Sequence, residues 1–402
     1  MRRPEEDDEP LDALIVGAGI AGSLAATLLA RAGRRVALVD LSWRPKQDFR
    51  VEKIVGPPIE ELRRLGLLAP LVARATAVDE VLSVIRGRRL DRRDTRHFSI
   101  SYTDIVEVCR DGLPETVDRI EGRVVSVSTS PTLQTVSFQD GRRLAARVVV
   151  LATGHAARLR SDLGIGFRPL LPVPTLCFGI DLRTTSASAC PVGVTFYGDD
   201  ASHGIDYAAF LPTREGLRGN LFSFSSLDAP WIGALRSDPG KALPLMLPGF
   251  ETWLSGWSVS GRPDMFVATV ACAERHGRDG IVLIGDAFMV SCPAGGTGFA
   301  RLLTDVSRLC EVHLPAWLDA PDRTAARLSS FYADATKVAA DQSALRIAEV
   351  RRGFTLRTSL SWTARRHLHF GKRGLLAAMK AVRPSRRGPA PRADEPLRVA
   401  AR

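Results

Sequence analysis

The sequence predicts an α/β protein: a Rossmann-like nucleotide-binding domain of discontinuous sequence, an inserted, mainly antiparallel β-sheet domain, and a helical C-terminal extension. Three observations predict it. A strand–helix–strand pattern with a glycine-rich turn opens the chain, and a second strand leads into a glycine-rich turn at Gly285–Gly298. Between them, strand-like stretches alternate with Pro- and Gly-rich turns.

The opening pattern carries the most local information. Leu11–Val16 is an apolar run suited to a buried strand, followed at once by Gly17-Ala18-Gly19-Ile20-Ala21-Gly22. Ile20, Leu24 and Leu28, with Ala21, Ala25 and Leu29, then repeat at helical spacing up to a stop at Gly33. Val36–Val39 is a second strand, and it ends on Asp40. In such a unit Gly17 permits a tight turn, Gly19 lets a pyrophosphate approach the backbone, and Gly22 lets the helix pack closely on the strand. The helix opening at Ile20 and Ala21 offers partial positive charge to phosphates. Asp40 stands where a carboxylate accepts hydrogen bonds from ribose hydroxyls. This predicts nucleotide binding without separating FAD from NAD.

Further along, Val124–Val127 and Thr135–Phe138 alternate like antiparallel strands, and Asp140-Gly141 turns the chain into Leu144–Leu151. The inserted sheet is expected from Leu176–Leu182, Gly193–Tyr197, Ile205–Leu211, Asn220–Phe224 and Met265–Val270. Gly280–Ile284 reads as a buried strand returning to the first domain, and Leu302, Val306 and Leu309 line one face of a helix. The 402 residues exceed the size at which one core keeps growing. The expected division is a nucleotide-binding domain of residues 11–164 and 276–320, a substrate sheet of 165–275, a helical region of 321–383, and a basic, disordered tail of 384–402.

Charge and cysteine content exclude several classes. Residues 365–402 hold eleven Lys and Arg against Asp394 and Glu395, so the tail supplies +9 of the formal net charge of +11. The basic character belongs to an appendage, and no nucleic-acid partner is expected of the body. The six cysteines (Cys109, Cys177, Cys190, Cys272, Cys292 and Cys310) are scattered without metal-ligand spacing, which fits reduced thiols in the cytoplasm. Met1-Arg2-Arg3 runs directly into Glu5, Glu6, Asp7, Asp8 and Glu9, unlike a secretory leader. Ala13–Ala30 is uncharged, but its glycines and hydroxyl residues favour a buried strand and helix over a membrane span.

The second glycine pattern separates the cofactors. Ile281-Val-Leu-Ile-Gly285-Asp286-Ala287 is a strand ending in an acid, followed by Cys292-Pro293-Ala294-Gly295-Gly296-Thr297-Gly298 and a helix. A carboxylate there can bind ribityl hydroxyls. The turn can aim a helix N-terminus at a flavin ring, where reduction places negative charge. A plain nicotinamide dehydrogenase has no use for such a second site, so FAD is the cofactor expected. Over about residues 11–320 the chain resembles the group A FAD-dependent monooxygenases, the para-hydroxybenzoate hydroxylase-like superfamily. The resemblance rests on Gly17–Gly22, on Ala152-Thr153-Gly154, and on Gly285-Asp286 with Pro293, Gly295, Gly298 and Asp305. It implies an FAD whose reduced form reacts with oxygen, NAD(P)H as electron donor, and hydroxylation or epoxidation of an aromatic or polyketide-like substrate. It also implies a pyrophosphate arginine shortly after the ribose acid, here Arg50, and by position Tyr102 and Val125 as flavin or adenine contacts.

Departures bear on the electron donor. The middle motif of the superfamily reads Asp-Gly with a serine and an arginine beyond it, whereas this chain has Thr153-Gly154-His-Ala-Ala-Arg-Leu-Arg160, so only Gly154 and Arg160 match. Phe288-Met289 replaces the usual Ala-His after Ala287, and Ala300 stands where an asparagine often follows the glycine turn. The Trp-x-Trp-x-Ile-Pro motif of halogenases is absent, and Trp253 and Trp257 are expected to pack. No acid–base residue is assigned; His203, Tyr207 and His276 are the candidates in the sheet region. His367-x-His369 is expected to be solvated, and no metal site is expected. Two rival readings stay open: a flavin-dependent reductase or dehydrogenase of an isoprenoid or lipid, and a non-catalytic flavin-binding protein docked on a membrane. The basic tail is the candidate for peripheral membrane contact.

Overall fold

The computed structural model describes residues 9–184, 192–198 and 203–382, with backbone alone for 94–96 and 380–382. The tail of 384–402 and Cys190 lie outside the described residues. The uninterrupted apolar runs become strands buried on both faces, as parallel sheets require. A seven-stranded sheet places Val117–Glu121, Val36–Asp40, Leu11–Val16, Arg143–Leu151 and Ile281–Leu283 side by side and parallel. The first half of Arg143–Leu151 pairs instead with Gln134–Phe138, antiparallel, and Val124–Ser128 completes that hairpin at the edge. The uncharged run from Ala13 to Ala30 is thus a strand, a turn and the helix Ile20–Arg31. Among the described residues no helix is long and apolar enough to cross a membrane.

The second layer is an eight-stranded sheet. Its order is Trp257–Ala268, Thr175–Thr184, Gly216–Ser223, Ile205–Thr213, Gly193–Tyr197, Thr76–Ile85, Arg88–Ser101 and Val51–Ile54. All neighbours are antiparallel except Gly193–Tyr197 with Thr76–Ile85. The sheet is therefore not confined to the 165–275 segment expected for it: three of its strands come from the N-terminal half. They were hard to read because Arg88–Ser101 begins Arg-Arg-Leu-Asp-Arg-Arg, charge-rich enough to resemble a solvated loop. One face of the sheet buries Phe178, Phe196, Phe210 and Leu221 against the short helices Pro230–Ser237, Pro239–Met246 and Phe250–Trp253. Trp253 and Trp257 pack there as expected, and Trp253 Nε1 donates to the Gly87 carbonyl at 3.0 Å.

A three-stranded ribbon of Gly166–Pro169, Ala271–Glu274 and Met289–Val290 ties the two layers together. The C-terminal region is helical: Ala325–Tyr332, Ala335–Leu356 and Leu360–Val382. Asp334 caps the second of these by accepting from the Thr336 and Lys337 amides, both at 3.0 Å. That helix returns to the interior, where Lys337 and Arg351 serve the site described next.

Candidate active site

The first glycine turn is built as steric necessity dictates. Gly17 has φ +106°, and a Cβ there would stand 2.5 Å from the Ala152 carbonyl oxygen. A Cβ on Gly22 would stand 1.8 Å from the Gly17 oxygen, so only glycine lets the helix approach. Around Gly19 nothing lies within 4 Å of that position, leaving open space beside the helix N-terminus. Asp40 Oδ2 accepts the Ala18 amide at 2.6 Å, which ties the turn to the acid. Arg110 closes the arrangement: its Nε donates to the Ala18 carbonyl at 2.7 Å, Nη1 to that of Trp43 at 2.7 Å, and Nη2 lies 3.4 Å from Asp40. Arg110 was invisible to the sequence reading, because it ends the helix Tyr102–Asp111, 70 residues from Asp40, with no motif around it. Val125 lies at the exposed edge of the same sheet, three residues past Gly122, whose amide donates to the Asp40 carbonyl.

The second glycine segment rests on a buried charge network. Gly285, at φ +61°, donates its amide to Asp305 Oδ2 at 2.9 Å. Lys337 Nζ donates to Asp305 at 3.0 Å and to Asp341 at 2.9 Å, and Arg301 Nη1 lies 3.2 Å from Asp305 and 3.3 Å from Asp341. Asp305, Arg301 and Lys337 are fully buried, and each is tolerated because opposite charges surround it. Asp286 extends from this platform, with Arg301 Nη2 at 3.6 Å and His155 Nε2 at 3.3 Å. Burial alone would raise its carboxyl, but His155, Arg301 and Arg50 outweigh that and hold it below the usual carboxylate range. Gly296, at φ +62°, has nothing within 4 Å of its missing Cβ, and the helix Gly298–Arg308 begins two residues later.

Between this segment and the open face of the eight-stranded sheet lies a cavity of about 440 Å³. The period-two alternation of the strands sends Tyr197, Tyr207, Phe222 and Phe266 into it, with Asn220 among them. Opposite stand Ile20, Asp286, Pro293, Gly295, Gly296 and Gly298. The strand Val51–Ile54 crosses the cavity and is pinned there, because Asn220 Nδ2 donates to the Val51 carbonyl at 2.9 Å and Arg218 Nη1 to that of Phe49 at 2.6 Å. Arg50 is held by Asp48 through three hydrogen bonds of 2.6–3.1 Å and lies 4.2 Å over the Tyr102 ring. None of its hydrogen bonds reaches the Gly17–Gly22 turn; the arginine bonded there is Arg110.

Two neighbours on that strand stand out chemically. Glu52 lines the cavity, and its carboxylate makes no hydrogen bond or ion pair with the described residues. Burial raises its carboxyl, Arg50 opposes, and Asp48 and Asp286 push further upward. Lys53 is also without an ion-pair partner among the described residues, and desolvation followed by repulsion from Arg93 brings it down to about 8. At the far end Arg351, from the helix Ala335–Leu356, stacks 4.6 Å over Tyr207 and donates to Asp206 at 2.7 Å. Tyr207 is the one expected acid–base candidate found in the cavity, its hydroxyl donating to the Ala294 carbonyl at 3.1 Å. His276 packs instead on Phe288 and Tyr332, and His203 is engaged through its carbonyl, which accepts from Ser225. No cluster of metal-ligating side chains occurs among the described residues.

These two glycine turns fit FAD: open backbone at Gly19 and Gly296, an acid at each strand end, and a cavity wide enough for a ring system. Residues 10–170 match the FAD binding domain family. The chain superposes on the p-nitrophenol 4-monooxygenase of Pseudomonas putida with a TM-score of 0.74 and 19% identity, covering 93% of this chain and 96% of that one. Residues 10–170 thus form an FAD binding domain, and by fold the whole chain is similar to group A flavoprotein monooxygenases. It is 24% identical to the tetracycline 7-halogenase of Kitasatospora aureofaciens over 64% of its own length and 49% of the halogenase. It is also 24% identical to the rifampicin monooxygenase of Streptomyces venezuelae, over 74% of its length and 63% of that enzyme. The chain thus spans about half to two thirds of these curated relatives.

Proposed function

We propose that this flavoprotein is a monooxygenase that hydroxylates or epoxidises an aromatic or polyketide-like substrate bearing an acidic group, using O2 and NAD(P)H. The observation that carries the reading is the cavity, which joins the second glycine segment to an aromatic wall and has basic side chains in its lining. Bound FAD supplies the electrons that activate oxygen. Gly17, Gly19 and Gly22 with Asp40 and Arg110 would hold its adenosine diphosphate part, and Asp286 its ribityl chain. Tyr197, Tyr207, Phe222 and Phe266 offer ring faces for stacking an aromatic substrate. Arg351, Arg93 and Lys53 favour an anionic group, and Glu52 is available to take a proton from a substrate hydroxyl as its ring is attacked. The names of the compared proteins carry p-nitrophenol, tetracycline and rifampicin, all ring compounds, which is consistent with that wall.

Oxygen uptake by the FAD-loaded protein tests the reading. NAD(P)H oxidation is expected to accelerate when an aromatic acid is added, with oxygen consumed in step. Product formation without oxygen overturns it in favour of a reductase. A protein that consumes oxygen only with an artificial electron donor keeps the monooxygenase and removes NAD(P)H, the outcome to which Thr153 would correspond.

The lysine gives a pH signature. Lys53 is charged below about 8 and neutral above it, so it attracts an anion only on the acid side. The dissociation constant for an aromatic carboxylate is therefore expected to rise as pH passes through about 8, by roughly two- to fivefold for one partly solvated charge. Isothermal titration across that range checks it, and Lys53→Met is expected to flatten the profile while leaving the flavin in place.

A further inference from the structure

The last described helix, Leu360–Val382, has two unlike faces. Its inner face is fixed to the sheet that walls the cavity: the Phe370 ring lies 5.2 Å from that of Tyr197, and Arg373 donates to Asp91 at 2.9 Å and to Ser83 at 2.8 Å. At about 100° per residue, the opposite face presents Leu360, Leu368, Leu375 and Met379, with Leu376 at its margin. In the order Leu360, Leu368, Leu375, Met379, Leu376 these are 90%, 72%, 64%, 59% and 47% exposed. The preceding helix adds Val350, exposed and beside Leu368 in the lining of a groove. That groove, of about 340 Å³ beside the stripe, has an apolar floor of Phe354, Trp362 and Leu368, with Arg365, His369 and Lys372 on its rim.

Such a contiguous apolar stripe calls for a cover, and its charge decides which. The helix contains Arg365, Arg366, Lys372, Arg373 and Lys380 and no acidic residue, and the sequence from 365 onward nets +9. A second copy of the chain seated on this face would bring two basic rims together. An anionic lipid surface neutralises the rim and covers the stripe at once.

We propose that Leu360–Val382 is an amphipathic docking helix that lies in the surface of an anionic phospholipid bilayer. Leu368, Leu375 and Met379 enter the acyl region, and Arg365 and Lys372 meet headgroup phosphates. Trp362, stacked between Arg357 at 5.1 Å and Arg365 at 5.2 Å, stands at the polar boundary where indole rings favour membranes. Because the inner face of this helix touches Tyr197, docking holds the substrate cavity next to the lipid.

Flotation of the full-length, FAD-loaded protein with vesicles of phosphatidylcholine, with and without phosphatidylserine, tests the proposal. The protein is expected to float with the anionic vesicles, not with the neutral ones, and to be released by high salt. Leu368→Gln combined with Leu375→Gln is expected to lower partitioning about a hundredfold, with flavin absorbance and thermal midpoint unchanged. Equal flotation of variant and parent overturns the docking helix and leaves only the tail charge. So does the absence of flotation. A concentration-dependent dimer that the double variant abolishes, seen by sedimentation in the absence of lipid, overturns it in favour of a self-interface.

Discussion

Asp286→Ala is expected to strip most of the flavin from the protein. The side chain is the only acid at the tip of the Ile281–Leu283 strand that lines the cavity, and it is kept ionised against its own burial by His155, Arg301 and Arg50. A hydrogen bond to such a charged acceptor contributes about 1.5–3 kcal/mol, or roughly 10- to 150-fold in the dissociation constant of FAD. The platform beneath survives the change, since Arg301 keeps Asp305 and Asp341 and Lys337 keeps both as well. The loss is therefore expected in flavin content after gel filtration, with little change in the thermal midpoint of the apoprotein. Asp286→Asn, which keeps an acceptor oxygen but not the charge, is expected to fall between. Full occupancy in the alanine variant would remove Asp286 from the flavin site.

The contrast between Asp286 and Arg351 explains what the sequence made legible. Asp286 sits at the end of an apolar strand and before a glycine turn, so strand, acid and turn all lie within residues 281–298. Arg351 reaches the cavity only because Asp206, 145 residues away, draws its Nε into a buried pair. On the sequence it is one more arginine in a basic helix. The same holds for Arg110 and for His155, whose value depends on strands that meet only in three dimensions. Four strands of the parallel sheet were readable because they carry apolar runs; the fifth, Val117–Glu121, was not, since Asp118, Arg119 and Glu121 break its pattern. The three strands that Val51–Ile54, Thr76–Ile85 and Arg88–Ser101 add to the other sheet were not readable either. They face a polar cavity or solvent on one side, so their apolar period is broken by charge. Arg50, which the family resemblance implied from its spacing to Asp40, lines the cavity with its guanidinium held by Asp48 over Tyr102.

Glu52→Gln is expected to lower the catalytic rate by about 10²–10⁴, the usual contribution of a positioned acid–base group, while FAD and substrate still bind. The parent enzyme should gain activity as pH rises through the raised ionisation of Glu52, since only the carboxylate accepts a proton. That limb should vanish in the glutamine variant. Stability moves the opposite way, which separates chemistry from damage. A carboxyl whose pKa is higher in the folded chain binds more protons there than in the unfolded chain. The folded state is thus penalised progressively above the unfolded value of about 4.3. The penalty is complete once pH exceeds the folded value, so at neutral pH Glu52→Gln should raise the thermal midpoint. At acid pH, where both states are protonated, it should change little. An unchanged catalytic rate with a raised midpoint would show that Glu52 is buried for some reason other than proton transfer.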